Sequence, residues 1–179
     1  MGKTSSSAER NRNIWAPWRM EYIDSLGRDD NVCFLCRHRD DPARDEANLV
    51  LWRGKHTFSL LNRFPYTGGH SIVAPYAHVA EMADLDDAAM LEMFQMLRDL
   101  QKALAAAVRA QGFNVGINIG GCAGAGLPGH IHAHIVPRWA GDTNFMPVLC
   151  GAKVIPVRLE TLRGQILQAG AELNLPKLA

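Results

Sequence analysis

The sequence predicts an α+β domain, an antiparallel sheet of about five strands with one long helix and a C-terminal helix packed on it. Three observations carry that expectation. Three runs rich in β-branched and aromatic residues succeed one another across connections too short for a parallel crossover. A long stretch then switches to helix formers with apolar groups at threes and fours. Further on, a segment alternates histidine with apolar residues, which is the period of a strand and not of a helix.

The 179 residues suffice for one domain with a real core. Residues 1–13, MGKTSSSAERNRN, read as a disordered tail, and 14–179 as a single domain with an N-terminal arm. In that arm Trp15 and Trp18 flank Pro17, and so much apolar surface is expected to pack on the domain or on a second subunit. The charged run RHRDDPARDEAN, 37–48, reads as a surface loop. LVLWRG, HTFSLLN and HSIVAP follow as strands of an antiparallel meander, punctuated by RGK and PYTGG. From Asp84 a helix is expected to run to Gly112, with Leu85, Ala89, Met93, Met96, Leu97, Leu100, Leu104 and Val108 as its apolar stripe and the glycine as a left-handed cap. Next come a strand FNVGINIG, a glycine-rich loop, the histidine strand, and a last helix over about 157–173.

The formal net charge of +1 shows no cationic stripe, so no nucleic-acid footprint is expected. No apolar run approaches the roughly 20 residues that cross a bilayer, and the N-terminal segment lacks the apolar stretch of a secretory signal. The expected location is the cytoplasm, with no membrane partner. Cys33 and Cys36 form a close pair, and in such a compartment C-x-x-C points to a metal or redox role.

In GHIHAHIVPRW, 129–139, an extended chain puts His130, His132 and His134 on one face and Ile131, Ala133 and Ile135 on the other. Three readings compete for the histidine face. It is a solvated polar strand face, or two neighbouring imidazoles chelate a metal, or His132 is a nucleophile flanked by helpers. Residues two apart lie about 6.6 Å apart along a strand, so neighbours can converge on one ion whereas His130 and His134, about 13 Å apart, can hardly do so. For the nucleophilic reading, imidazole attacks phosphorus well and its phosphoramidate is labile. The glycines of NIGGCAGAGLPG would let backbone N–H groups of Gly124, Ala125 and Gly126 cradle an anion.

H-x-H-x-H before apolar residues, together with LLNRFPYTGGHSIVAPYAH, FNVGINIGG, PRWAGDTNF and AKVIP, resembles the histidine triad (HIT) superfamily, and WAPWR with PRWAGDTNF and KVIP resembles its diadenosine tetraphosphate phosphorylase branch. The resemblance implies a HIT-like fold and a nucleotidyl transferase or hydrolase acting on the α-phosphate of dinucleoside polyphosphates through a nucleotidyl-histidine. His132 would be the nucleophile, the His130 carbonyl would accept from its Nδ1, and His134 would serve the phosphate or leaving group. Asn62 would meet ribose hydroxyls and Asn118 the α-phosphate region, although both residue types also cap turns. Trp139 could stack on a base, and Lys153 or Arg138 could hold inorganic phosphate. Relatives often carry a polar side chain just before the first histidine, whereas Gly124 to Gly129 offers none, which suits the phosphorylase branch. Several triad proteins hold zinc with such a cysteine pair, a histidine after the third strand and the first triad histidine, here Cys33, Cys36, His78 and His130. The resemblance thus implies a structural zinc, no organic cofactor and a homodimer. Hydrolysis of dinucleoside polyphosphates or nucleoside phosphoramidates, and non-catalytic binding of AMP, remain open.

Overall fold

The protein is described from a computed structural model over residues 33–142 and 155–175. The chain divides into two compact units, Met1–Asp30 and Asn31–Ala179, of which the first lies outside the described residues, as do the tail and tryptophan-arm expectations. The elements are α1 (Phe34–Asp40), β1 (Val50–Arg53), β2 (Thr57–Leu61), β3 (Ser71–Pro75), α2 (Asp87–Val108), β4 (Gly112–Ile117), β5 (Ala133–Arg138) and α3 (Leu159–Glu172). All strand pairs are antiparallel, in the order β1-β2-β3-β5-β4. β5, the last of the described strands in chain order, thus sits inside the sheet, flanked by β3 and β4.

The long helix forms where its stripe predicts. Asp86 caps it, accepting from the Ala89 N–H at 2.6 Å, and Ala89, Met93, Met96, Leu97, Leu100 and Leu104 are all buried. They pack with Leu61, Val73, Ala133 and Ile135 of the sheet and Leu162 and Ile166 of α3. Each such leucine or methionine contributes about 1.5–3 kcal/mol by leaving water. The helix ends earlier than Gly112. Arg109 takes the left-handed conformation at φ 53°, and the Trp139 indole N–H donates to the carbonyls of Val108 and Arg109, so Gly112 is released to open β4.

The opposite face is covered as well. Where the charged run reads as loop, the chain forms α1 and a 3-10 turn, Pro42–Arg44. The reason is Leu35, which α1 buries against Val50, Phe58, Leu60, Ile72 and Ala74, so that one apolar anchor outweighs the charged residues around it. A buried carboxylate joins the meander to α2. Glu92 Oε1 accepts from the N–H groups of His56 and Thr57 and from the Thr57 hydroxyl, at 2.9–3.0 Å. Gly54 lies against that carboxylate, and a side chain there would collide with it. Among the described residues no helix is long and apolar enough to cross a membrane.

His38 on α1 rests edge-on against Phe34, with its Nδ1 buried and unpaired. Burial, then the charges of Arg37, Arg63, Arg44 and Arg53, push its pKa down to about 4. The unfolded chain therefore takes up this proton first, and stability falls as pH drops from 6.5 towards 4. His38→Leu is expected to flatten that slope by on the order of 1 kcal/mol, after discounting for solvent screening, in urea unfolding at pH 7 and pH 4.5.

Candidate functional site

Of the three histidines only His134 enters the ladder, which starts at Ala133; His130 and His132 lie on the approach to it. The alternation nevertheless holds. Ile131, Ala133 and Ile135 join the helix-covered core, while the imidazoles turn away from it. His132 Nδ1 donates to the His130 carbonyl at 2.8 Å. Neutral imidazole has one N–H, so this bond places the lone pair on Nε2. That atom makes no hydrogen bond among the described residues and is not sealed from solvent, although the residue is only 5 % exposed. Burial lowers the His132 pKa, partly opposed by the His130 carbonyl, which favours the neutral ring.

The neighbouring ring is set by a second chain of contacts. The register Ser71↔Ile135 and Ile72↔His134 brings the residue before β3, His70, against His134, with Nε2 to Nδ1 at 3.0 Å. The Tyr66 N–H donates to His70 Nδ1 at 3.1 Å, and its ring stacks on the histidine at 4.5 Å. With Nδ1 accepting, the His70 proton must sit on Nε2 and point at His134 Nδ1. Neutral His134 is then left with its hydrogen on Nε2. The rings of His132 and His134 meet edge to face with their centroids 4.9 Å apart.

Both asparagines lie around this pair. Asn62 accepts from the Phe64 N–H at 2.9 Å, which holds the turn, and its amide nitrogen lies 3.4 Å from His70 Nδ1. Asn118 follows β4, whose Ile117 pairs with Ala133, and reaches the Gly124 carbonyl at 3.5 Å. Gly120 and Gly124 take φ of 79° and 82°, conformations that suit glycine. The N–H groups of Gly124 and Ala125 turn inward to the carbonyls of Gly121 and Gly120, which leaves the Gly126 amide with no main-chain partner among the described residues. Trp139 caps α2 about 23 Å up the strand from His132, away from any base stacked at the triad. Arg138, beside it, is bound to Asp142 and Asn114. Lys153 lies outside the described residues.

The His130 ring turns to the cysteine pair. Its Nδ1 lies 3.2 Å from Cys33 Sγ, 3.6 Å from Cys36 Sγ and 3.3 Å from His78 Nδ1, and Cys36 Sγ lies 3.2 Å from His78 Nδ1. A tetrahedron with Zn–S near 2.3 Å and Zn–N near 2.0–2.1 Å places neighbouring ligand atoms about 3.3–3.8 Å apart. All four ligand atoms lie within 4.8 Å of one another, so the donor set can hold a metal ion with little adjustment. His130 Nε2 donates to the Pro75 carbonyl at 2.9 Å, which leaves Nδ1 as the ligand atom.

This geometry fits what comparison with known proteins finds. The family model "HIT domain" matches residues 44–141. An "AP-4-A phosphorylase" of Mycobacterium tuberculosis is 37% identical over 163 residues, covering 85% of this chain and 80% of that one. The chain belongs to the HIT domain family. Among HIT relatives is also a "Bis(5'-nucleosyl)-tetraphosphatase [asymmetrical]" of Schizosaccharomyces pombe, 32% identical over 54% of this chain and 52% of that protein. Of solved HIT structures, a zinc-bound histidine triad family protein from Mycobacterium smegmatis superposes with a TM-score of 0.64 at 24% identity, over 79% of this chain and 95% of that one, which shows the fold.

His70 is the site residue that sequence reasoning missed. Behind two glycines it reads as turn support, and only the β3–β5 pairing brings it to the HIT triad. Its signal was present, since a histidine opening a central strand is fully buried here and needs a polar partner. His70→Ala is expected to lower kcat by about 10- to 100-fold with KM little changed, measured on the substrate proposed below, because the proton on His134 loses its fixed position.

Proposed function

We propose that the protein is a nucleotidyltransferase acting on the α-phosphate of dinucleoside polyphosphates through a nucleotidyl-histidine on His132, with inorganic phosphate as acceptor, so that diadenosine tetraphosphate yields ADP and ATP. The observation that carries this reading is the His132 ring, whose Nδ1 is pinned to a carbonyl, which leaves the lone pair on Nε2, and whose edge meets the His134 ring. The relative named AP-4-A phosphorylase, which this chain matches over 85% of its length, supports the substrate class and the acceptor.

In the first step the Nε2 lone pair attacks the α-phosphorus, the bond to the bridging oxygen breaks with its electron pair leaving on the polyphosphate, and the His134 Nε2–H donates a hydrogen bond to that departing oxygen. The Gly126 amide, Asn118 and the ribose partner Asn62 hold the nucleotide. A phosphate oxygen then attacks the same phosphorus from the vacated side, the N–P bond breaks, and His132 returns to neutral imidazole. Lys153 is assigned to the acceptor phosphate. Water in that place would give AMP and ATP, the hydrolytic reading favoured by the relative named as a tetraphosphatase. Because imidazole itself carries the nucleotide, no organic cofactor is required.

Zinc is assigned to Cys33, Cys36, His78 and His130 on the ligand spacing, and a zinc-bound protein of the same fold is consistent with it. That ion would hold α1 to the end of β3 and to the triad approach. A homodimer in the cytoplasm completes the reading. β4 is an edge strand with Val115 52% exposed, an edge that a second copy could extend.

The decisive assay incubates the protein with diadenosine tetraphosphate, with and without inorganic phosphate. ADP plus ATP, formed only with phosphate, is the expected outcome; AMP plus ATP regardless of phosphate identifies a hydrolase. His132→Ala should lose on the order of 10³-fold or more in kcat and all trapping of radiolabelled nucleotide. The acid limb of wild-type activity should fall at a pH below the ordinary 6.5 of histidine, since burial lowers the His132 pKa and protonation removes its lone pair.

A further inference from the structure

His130 has every polar group engaged. Its Nδ1 faces the two thiols and His78, its Nε2 donates to the Pro75 carbonyl, and its own carbonyl takes the His132 N–H. The residue is completely buried, and its ring is bounded by Cys33, Cys36, His78 and Pro75. A buried ring held on both nitrogens leaves little freedom for the peptide unit to which it is attached. That unit links the thiol cluster directly to the nucleophile. The path is one residue long, with no loop or mobile side chain in between.

We propose that His130 is a positioning residue through which the ion held by Cys33, Cys36 and His78 sets the tautomer and aim of His132. The inference rests on the zinc assignment above, and extends the cluster's role from stapling the fold to tuning the reacting ring. Two imidazole nitrogens facing each other at 3.3 Å, His78 Nδ1 and His130 Nδ1, need a shared ion or a shared proton between them. With the ion, both present lone pairs inward and His130 stays neutral with its hydrogen on Nε2, anchored to Pro75. Without it, a single proton between the rings or a thiol proton must fill the gap, the His130 ring can tilt, and its carbonyl moves with it. The His132 N–H then loses its acceptor, Nδ1 and Nε2 tautomers mix, and part of the population presents an N–H where the lone pair is needed. Coupling of this kind is reciprocal, so what happens at His132 must be felt by the ion.

The test reads the His132 ring directly and requires no substrate. Full-length protein labelled with nitrogen-15 in its histidines is loaded with zinc, its metal content is measured, and the imidazole nitrogen signals are compared with those of chelator-treated protein. Loaded protein should hold about one zinc per chain and show His132 as a single Nδ1–H tautomer; depletion should shift it towards an averaged pair of signals. Should depletion unfold the chain, replacing zinc by the larger cadmium ion keeps the cluster filled with longer bonds, and the His132 signals must still move. Unchanged His132 signals on depletion of folded protein, or on cadmium exchange, would overturn the proposal, as would failure to bind zinc. Cys36→Ser supplies the kinetic counterpart, with kcat expected to fall about tenfold at near-constant KM; proportional loss of both with folded fraction would mark a purely structural role and count against the coupling. Because the spectra involve no nucleotide, they test the coupling even if the substrate is a different nucleotide.

Discussion

The hydrogen bond from His132 Nδ1 to the His130 carbonyl is the constraint on which the site depends. It joins a residue to its neighbour two positions back, so it exists only while the approach to β5 keeps its extended shape. That shape is secured from outside the segment: the Ile131 N–H donates to the Val79 carbonyl at 2.7 Å, and Ile131 itself is buried under the helices. A slip by one residue would send all three imidazoles into the apolar core and Ile131 into the cleft, costing both burial and bonds. The apolar half of the alternation therefore aims the polar half.

Sheet order does the rest. Because β5 is inserted between β3 and β4, His134 has Ile72 on one side and Gly116 on the other; His70, just before β3, and Asn118, just after β4, flank it from opposite ends of those pairings. The active pair of rings is thus assembled from three strands distant in sequence. Gly116 has nothing within 4 Å of where a Cβ would stand, which leaves open space on that side of the strand.

Much of this was legible in the sequence because it rests on local period. The strand alternation, the stripe of α2 and the facing of the histidines follow from spacings of two and of three to four, and burial bears them out at Met93, Leu100, Ile131 and Ile135. What escaped depends on contacts between distant segments. α1 forms in a charged run because Leu35 finds a pocket between β1, β2 and β3. Arg109, and not Gly112, ends α2, because Trp139 supplies an indole N–H to the final carbonyls. His70 is recognisable as part of the site only once β3 and β5 are known to pair. Arg138, a reasonable phosphate ligand by charge, is taken up by Asp142 four residues on. In each case the local signal was true and a tertiary partner overrode it.

The choice of a carbonyl, where many nucleophilic sites orient histidine with a carboxylate, has a physical consequence. A buried carboxylate beside His132 would raise its pKa and repel a polyphosphate; a carbonyl orients the ring as well without adding negative charge. Burial also favours the neutral imidazole, which limits the desolvation cost that falls on the ring. On the proposed mechanism, attack on phosphorus would make the ring cationic at the moment it acquires an anionic phosphoryl group, so charge would be created and compensated within one bond length. The same carbonyl dipole, already aimed at Nδ1–H, strengthens its hold as that N–H becomes more acidic. Stabilisation therefore grows from ground state to intermediate with no group having to move, and a neutral, buried histidine can manage a highly charged substrate.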